Sequence, residues 1–251
     1  MAALGNSLHG LLGLAGLVAL WWLITNMLTE PGSIAARFAP EPALTALLQL
    51  LSGSEIWLHI AVSLKRVLVG LAIAVTIGVP LGMLLGWHDT LNRTLSPSFQ
   101  LLRMVSPLSW MPIAVMLFGI GDKPVYVLLG FAAVWPVMLS TLSGVKAVDA
   151  RWLDLGKSLS ASRWEATTQI VLPAIAGHVL TGVRLAVGVL WIVLVPCEML
   201  GVNAGLGYFI LDTRDRLDYP ELMATVVVIG VLGFLLDWIL RTICQHRKTE
   251  S

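Results

Sequence analysis

The chain of 251 residues is 57% hydrophobic and 12% charged, with a mean hydropathy of +0.85 and a net charge of +1. That apolar share exceeds what the core of a soluble domain of this length requires. The net charge says nothing about nucleic acid, but there is no basic stripe to bind it, so none is expected as a partner.

Apolar runs of about 20 residues match a hydrocarbon layer of about 30 Å. Lipid offers no partner to open backbone groups, so such runs must be helical. The dyad alternation of a membrane barrel is absent. The expected fold is an all-α integral membrane protein with six transmembrane helices.

The first span is expected at about 8–28. It lacks the basic flank and small-residue cleavage site of a signal peptide, so it stays as an anchor. Residues 42–51, too short to cross, are read as an external interfacial helix. Together these form a first region, 1–57.

The second span, about 58–86, places Gly78, Gly82 and Gly86 on one face, where another helix can approach closely. Lys65 and Arg66 fall near its outer end and are read as interface anchors, with attraction of an anion as the alternative. The third span, 98–118, contains Pro107, Trp110 and Pro112, and the fourth, 124–144, contains Trp135 and Pro136. Each proline removes a backbone hydrogen bond and bends its helix. The freed carbonyls tolerate that depth only against protein or a wet cavity. Pro107, Trp110, Pro112, Trp135 and Pro136 are therefore candidate path or gate residues.

Val145 to Pro173 reads VKAVDARWLDLGKSLSASRWEATTQIVLP, a long charged stretch inside an otherwise apolar chain. Asp149 can cap a helix from Ala150 that groups Trp152, Leu153, Leu155 and Leu159 mainly on one side. After a break at Ser160–Ser162, Ser162 and Glu165 have capping-box spacing. A second short helix, with Arg163 and Trp164 in its first turn, is expected to end at Leu172, ahead of Pro173. The loop, 145–177, is thus a rigid two-helix knuckle. Gly156-Lys157-Ser158 is not a P-loop, because Arg151 stands where the earlier glycine belongs.

The fifth span, 178–200, ends near Pro196 and carries Glu198, the one acid read as lying within the membrane. Intramembrane charges are costly and often functional. Glu198 is expected to order the GVNAGLG loop through backbone amides and joins the candidate gate set. Arg103 and Arg184 are read as snorkelling to headgroups; the alternatives are attraction of an anion at the inner mouth and packing against the knuckle. His178 is read as interfacial, and the tryptophans mostly as an interface belt. The alternating charges Asp212, Arg214, Asp215, Arg216 and Asp218 form a solvated external face or, alternatively, a docking patch. The sixth span, 220–240, leads to a tail, 241–251. Cys197 and Cys244 fall near opposite faces, so a disulfide is not expected, nor is a metal site.

With the N-terminus inside, eight Lys and Arg face the cytoplasm (Arg93, Lys146, Arg151, Lys157, Arg163, Arg241, Arg247, Lys248) against four outside (Arg37, Lys123, Arg214, Arg216). The knuckle and both termini are then cytoplasmic.

The knuckle resembles the EAA loop of ATP-binding-cassette importer permeases. Asp154-Leu155-Gly156 stands in the Glu-Ala-Ala place, Ser160 in the glycine place, and Ile170-Val171-Leu172-Pro173 fits the Ile-x-Leu-Pro end. Segments 63–86, 106–148 and 172–210 look like the nitrate, sulfonate and taurine branch, and 198–237 looks nearest to nitrate, bicarbonate or cyanate permeases. The resemblance implies a five-helix permease core, 58–240, with one added N-terminal helix and a coupling loop that slots into an ATPase groove. It implies a homodimer, two ATPase subunits carrying ATP and Mg, an external solute-binding protein, the bacterial inner membrane and a small anion as cargo. No catalytic, cofactor or metal residue is expected in this chain. A self-contained secondary transporter would instead show acid or histidine relays and often an inverted repeat. An intramembrane hydrolase would need paired catalytic groups at depth. Neither pattern is evident.

Overall fold

A computed structural model describes residues 2–27 and 34–249; the side chains of residues 2–11, 35, 157, 163 and 243–249 lie outside that description. Among the described residues every regular element is helical. Helix α1 spans Ala2–Met27, α2 Pro40–Ser52, α3 Glu55–Trp87, α4 Asp89–Met104, α5 Met111–Phe118, α6 Asp122–Ala147 and α7 Ala150–Ser158. Then follow α8 at Arg163–Glu165, α9 at Leu172–Met199, α10 at Leu206–Asp215 and α11 at Tyr219–Thr249.

Four described helices are long and apolar enough to cross a membrane: Glu55–Trp87, Asp122–Ala147, Ala166–Met199 and Tyr219–Thr242. The pair α4 and Pro107–Phe118 makes a fifth if taken together, but it is bent by 85°. The third span is therefore not the single helix that the sequence suggests. Two prolines explain the break. Val105 and Ser106, ahead of Pro107, are extended (ψ 126° and 130°), as residues before proline prefer. Pro107 then opens a 3₁₀ turn and Pro112 sits in the first turn of α5, where no hydrogen bond is lost. The described apolar part of α1 is Leu12–Met27, shorter than the other spans.

The centre of the fold is α3 packed parallel to α6, with α9 running antiparallel to α6. Close approach follows from the small residues. A Cβ on Gly78 would meet the Val134 carbonyl at 3.0 Å, one on Gly82 the Met138 carbonyl at 2.5 Å, and one on Gly86 Val145 at 2.6 Å. The glycine face of α3 is thus spent on packing within the chain. Across the other side of α6, Gly182 of α9 meets Ser140 and the Pro136 carbonyl, and Gly144 meets His178. Val67, Ala74, Leu129, Ala133, Val137, Ala186 and Leu190 fill the space between.

The short segment at 42–51 is part of α2, which lies along α11 and contributes Leu47 and Leu50 to a second cluster around Ile56, Leu206 and Phe209. The loop expected between the last two spans contains a helix, α10, whose N-terminal half is buried. Cys197 is a buried free thiol; the side chain of Cys244 lies outside the described residues.

Candidate functional site

Two structures stand at opposite ends of the bundle. One is the knuckle after α6. Asp149 caps α7, its carboxylate accepting from the Arg151 N–H at 2.9 Å. The far end of α7 closes with the Ala161 N–H donating to the Gly156 carbonyl at 2.9 Å, across Ser160 at φ +56°. That is a Schellman turn, whose left-handed residue is usually glycine. Ser160 therefore occupies the place of the missing glycine with the conformation that glycine favours.

The capping box forms as expected: the Ser162 N–H donates to Glu165 Oε2 at 2.7 Å, and the Glu165 N–H to Ser162 Oγ at 3.2 Å. The backbone N–H of Ser162, and after it the Ser162 hydroxyl, hold the Glu165 carboxyl below its ordinary pKa. The helix they open does not stop at Pro173. It runs from α8 through a π turn, Ala166–Val171, straight into α9. Wider i→i+5 bonding, with the Leu172 N–H reaching the Thr167 carbonyl, absorbs the proline's missing donor, so a break is unnecessary. The second arm of the knuckle is thus the rigid end of a spanning helix.

Ile170 packs against Gly156, where a Cβ would stand 2.9 Å from its Cδ1, and this contact holds the two arms together. Around it Trp152, Leu155, Leu159 and Trp164 face outward at 60%, 50%, 74% and 76% exposure. A cleft of about 450 Å³ runs between Trp152, Leu159, Glu165 and Gln169. Asp154, Leu172 and Pro173 are exposed beside it; the Arg163 side chain lies outside the described residues. A capped, braced pair of helices with unpaired aromatic and leucine side chains is a surface for a protein groove.

The other structure is a buried polar node where α3, α6, α9 and α10 meet. Glu198, fully buried, accepts from Arg66 Nη1 at 2.7 Å, the Ser63 hydroxyl at 2.8 Å and the Gly207 N–H at 2.8 Å. Arg66 is 2% exposed and also donates to Asp122 Oδ1, from Nε at 3.0 Å and from Nη2 at 2.6 Å. Its Nη1 reaches the Ala204 carbonyl as well, at 2.6 Å. Two further amides of the loop are held from α3: Gly205 N–H by His59 Nδ1 at 3.0 Å, and Leu206 N–H by Ser63 Oγ at 2.8 Å. Accepting at Nδ1 leaves His59 a neutral ring with its proton on Nε2. Gly205 lies at φ +116°, and a Cβ there would collide with Glu198 and Arg66.

Glu198 thus orders the GVNAGLG loop through a backbone amide, as its position suggests. The sequence reading errs on Arg66, which is a buried ion partner and not an interface anchor. His59, Ser63 and Asp122 were missed altogether. The signal was present: His59, Ser63 and Arg66 are spaced i, i+4, i+7, a polar stripe on one face of an apolar helix.

Other positions also depart from expectation. Glu198 is not the sole acid at span depth, since Asp237 of α11 pairs with Arg184 at 3.0 Å. Arg184 is therefore held by an acid and does not simply reach for headgroups. Trp191 lies inside the bundle, outside any interface belt, its indole donating to the Ile229 carbonyl at 3.2 Å. The external charges pair locally, Arg214 with Asp215 and Arg216 with both Asp212 and Glu221. Of the candidate path residues, Trp110 lies tilted by 57° to Phe131 with centroids 6.1 Å apart, and Phe131 meets Trp135 edge-on at 5.5 Å. The break at Pro107, with Trp135 and Pro136, borders a cavity of about 380 Å³. Glu198 and Pro112 do not line it.

The family described as "Binding-protein-dependent transport system inner membrane component" matches residues 78–248. The taurine transport system permease protein TauC of Escherichia coli (strain K12) is 33% identical over 243 residues, 94% of this chain and 86% of that protein. The bicarbonate transport system permease protein CmpB of Synechococcus elongatus is 35% identical over 195 residues, 74% of this chain and 69% of its own length. Among solved structures, an inward-facing MetNI methionine ABC transporter chain superposes with a TM-score of 0.64 at 17% identity, covering 82% of this chain and 98% of that one. At that identity the likeness speaks for the fold alone.

Proposed function

We propose that this chain, which belongs to the binding-protein-dependent inner-membrane permeases of ABC importers, carries a small anion such as nitrate, bicarbonate, taurine or another sulfonate. The observation that supports coupling to an ATPase most directly is the knuckle: two braced arms, one continuous with α9, that present Trp152, Leu155, Leu159 and Trp164 to solvent. Force applied there reaches the α3–α6–α9 core through a rigid helix.

On this reading two copies of the chain form the path, and each knuckle seats in a cytoplasmic ATPase that binds ATP and Mg. A solute-binding protein delivers cargo at the opposite end, beside the charged α10–α11 corner. Both termini lie in the cytoplasm of a bacterial inner membrane, as the bias of Lys and Arg favours. Nucleotide-driven closure of the ATPases swings the knuckles and alternates access.

Uptake into liposomes tests this. Vesicles holding the chain with its ATPase and binding protein should accumulate one of these anions only with ATP inside the ATPase compartment. Equal uptake by the chain alone, with neither partner nor ATP, would overturn the reading in favour of a secondary transporter.

A further inference from the structure

Of the arginines at span depth, two are neutralised: Arg66 by Glu198 and Asp122, and Arg184 by Asp237. Arg103, at the end of α4, pairs with no carboxylate among the described residues. It stands where α4 breaks, beside Trp135. Trp135 lies halfway along α6 (Asp122–Ala147), far from either end of the bundle. A charge at such depth is costly and faces a cavity or a counter-charge.

Arg103 does face cavities. It lines one of about 140 Å³ between α4 and the α3–α6 pair, and another of about 380 Å³ toward α9. Trp135 borders both. Its ring is 8% exposed, and its Nε1–H is the one buried side-chain polar atom among the described residues without a hydrogen-bond partner. A buried indole N–H ordinarily finds an acceptor. Here an unpaired cation lines the same space as the residue that carries the unpaired donor. Leading toward them, Asn92, Ser96 and Gln100 line the smaller cavity from successive turns of α4.

We infer that Arg103 and Trp135 form a binding station for a small oxyanion at mid-depth of the path, reached along the Asn92–Ser96–Gln100 stripe. A guanidinium fork takes two oxygens of such an anion. The indole N–H takes a third. Nitrate, bicarbonate and a sulfonate head all present three oxygens, whereas chloride presents no such pattern. The station rests on the anion-importer reading and specifies where in this chain the cargo is recognised. It revises Arg103 from a residue that snorkels to one that binds.

The test is an indole ¹⁵N–¹H titration of the purified full chain in nanodiscs, at constant ionic strength, with sodium nitrate or methanesulfonate replacing gluconate. The Trp135 signal is assigned by its loss in Trp135→Phe. It should move downfield and saturate with either oxyanion. In Arg103→Gln the apparent affinity should fall about tenfold or more, as loss of a charge-assisted bond implies; Arg103→Lys should retain part of it. The Trp191 signal, bonded within the protein, should stay fixed in every variant and serves as the folding control. A Trp135 signal unmoved by both anions, or a shift unchanged in Arg103→Gln, would overturn the station. ATP-driven uptake could still succeed in that case, so the two readings fail separately.

Discussion

Arg66 Nη1 lies 2.7 Å from Glu198 Oε1, joining residues 132 positions apart inside the bundle. Neither side chain meets solvent appreciably, so each is the other's replacement for water. The pair fastens the start of α3 to the end of α9, and through Asp122 to the start of α6. Helix geometry alone leaves these ends free to splay; the node closes them.

Removing one member leaves a buried charge without its partner. Glu198→Ala should therefore cost about 3–5 kcal/mol, seen as a lower midpoint in thermal unfolding of the detergent-solubilised chain. Arg66→Ala should cost a similar amount. The double variant should lose clearly less than the sum, because the two residues act as one unit. Additive losses would mean that the contact carries no coupling.

Ser160 holds a left-handed conformation that L side chains disfavour. Ser160→Gly should stabilise the knuckle by about 1 kcal/mol. Slower hydrogen exchange at the amides of α7, with the rest of the chain unchanged, is the expected reading. Faster exchange would show that the serine hydroxyl contributes more than the backbone strain removes.

The capping box should respond to both mutation and pH. Ser162→Ala should cost the second arm about 1 kcal/mol of helix stability. Glu165 has a depressed pKa in the folded arm, so its contribution is present above the ordinary glutamate range and is lost as pH falls through the folded value. Protection against exchange at Trp164–Thr168, taken relative to the intrinsic rate at each pH, should fall on acidification in the wild type and less so in Glu165→Gln. An equal fall in the two would place the titrating group elsewhere.

Packing of α3 on α6 predicts a contrast between two glycines. At Gly82 a Cβ would stand 2.5 Å from the Met138 carbonyl and 2.7 Å from Thr141 Cβ, so Gly82→Ala should destabilise by about 1–3 kcal/mol. At Gly188 nothing lies within 4 Å, so Gly188→Ala should be neutral or gain up to about 1 kcal/mol. Unfolding midpoints of the two proteins should move in opposite directions or differ clearly.

Much of this was legible in the chain. The glycine repeat of α3, the cap at Asp149, the Ser162–Glu165 box and the depth of Glu198 depend on local spacing, and local spacing is written in sequence. Arg66 was misplaced because its partners are distant: Asp122 and Glu198 become neighbours only when three helices pack. Pro173 was over-read, since a π turn can accommodate a proline that an α-helix cannot. Pro107 was under-read for the reverse reason; a proline interrupting a span bends it anywhere from slightly to 85°, depending on whether neighbouring helices hold the break open. Trp191 looks like a belt residue until α11 packs against it.

The central claim is that the knuckle is the seat of an ATPase, and site-directed cross-linking tests it most directly. Single cysteines at Leu159 and Trp164, in a variant with Cys197 and Cys244 replaced, would be probed in native membranes with a short bifunctional reagent. The account predicts a cross-linked product containing an ABC ATPase from both positions, with a yield that changes when nucleotide is bound, and none from a cysteine at Leu217 beside α10. Absence of any ATPase product from the knuckle, with equal or stronger capture from Leu217, would contradict it.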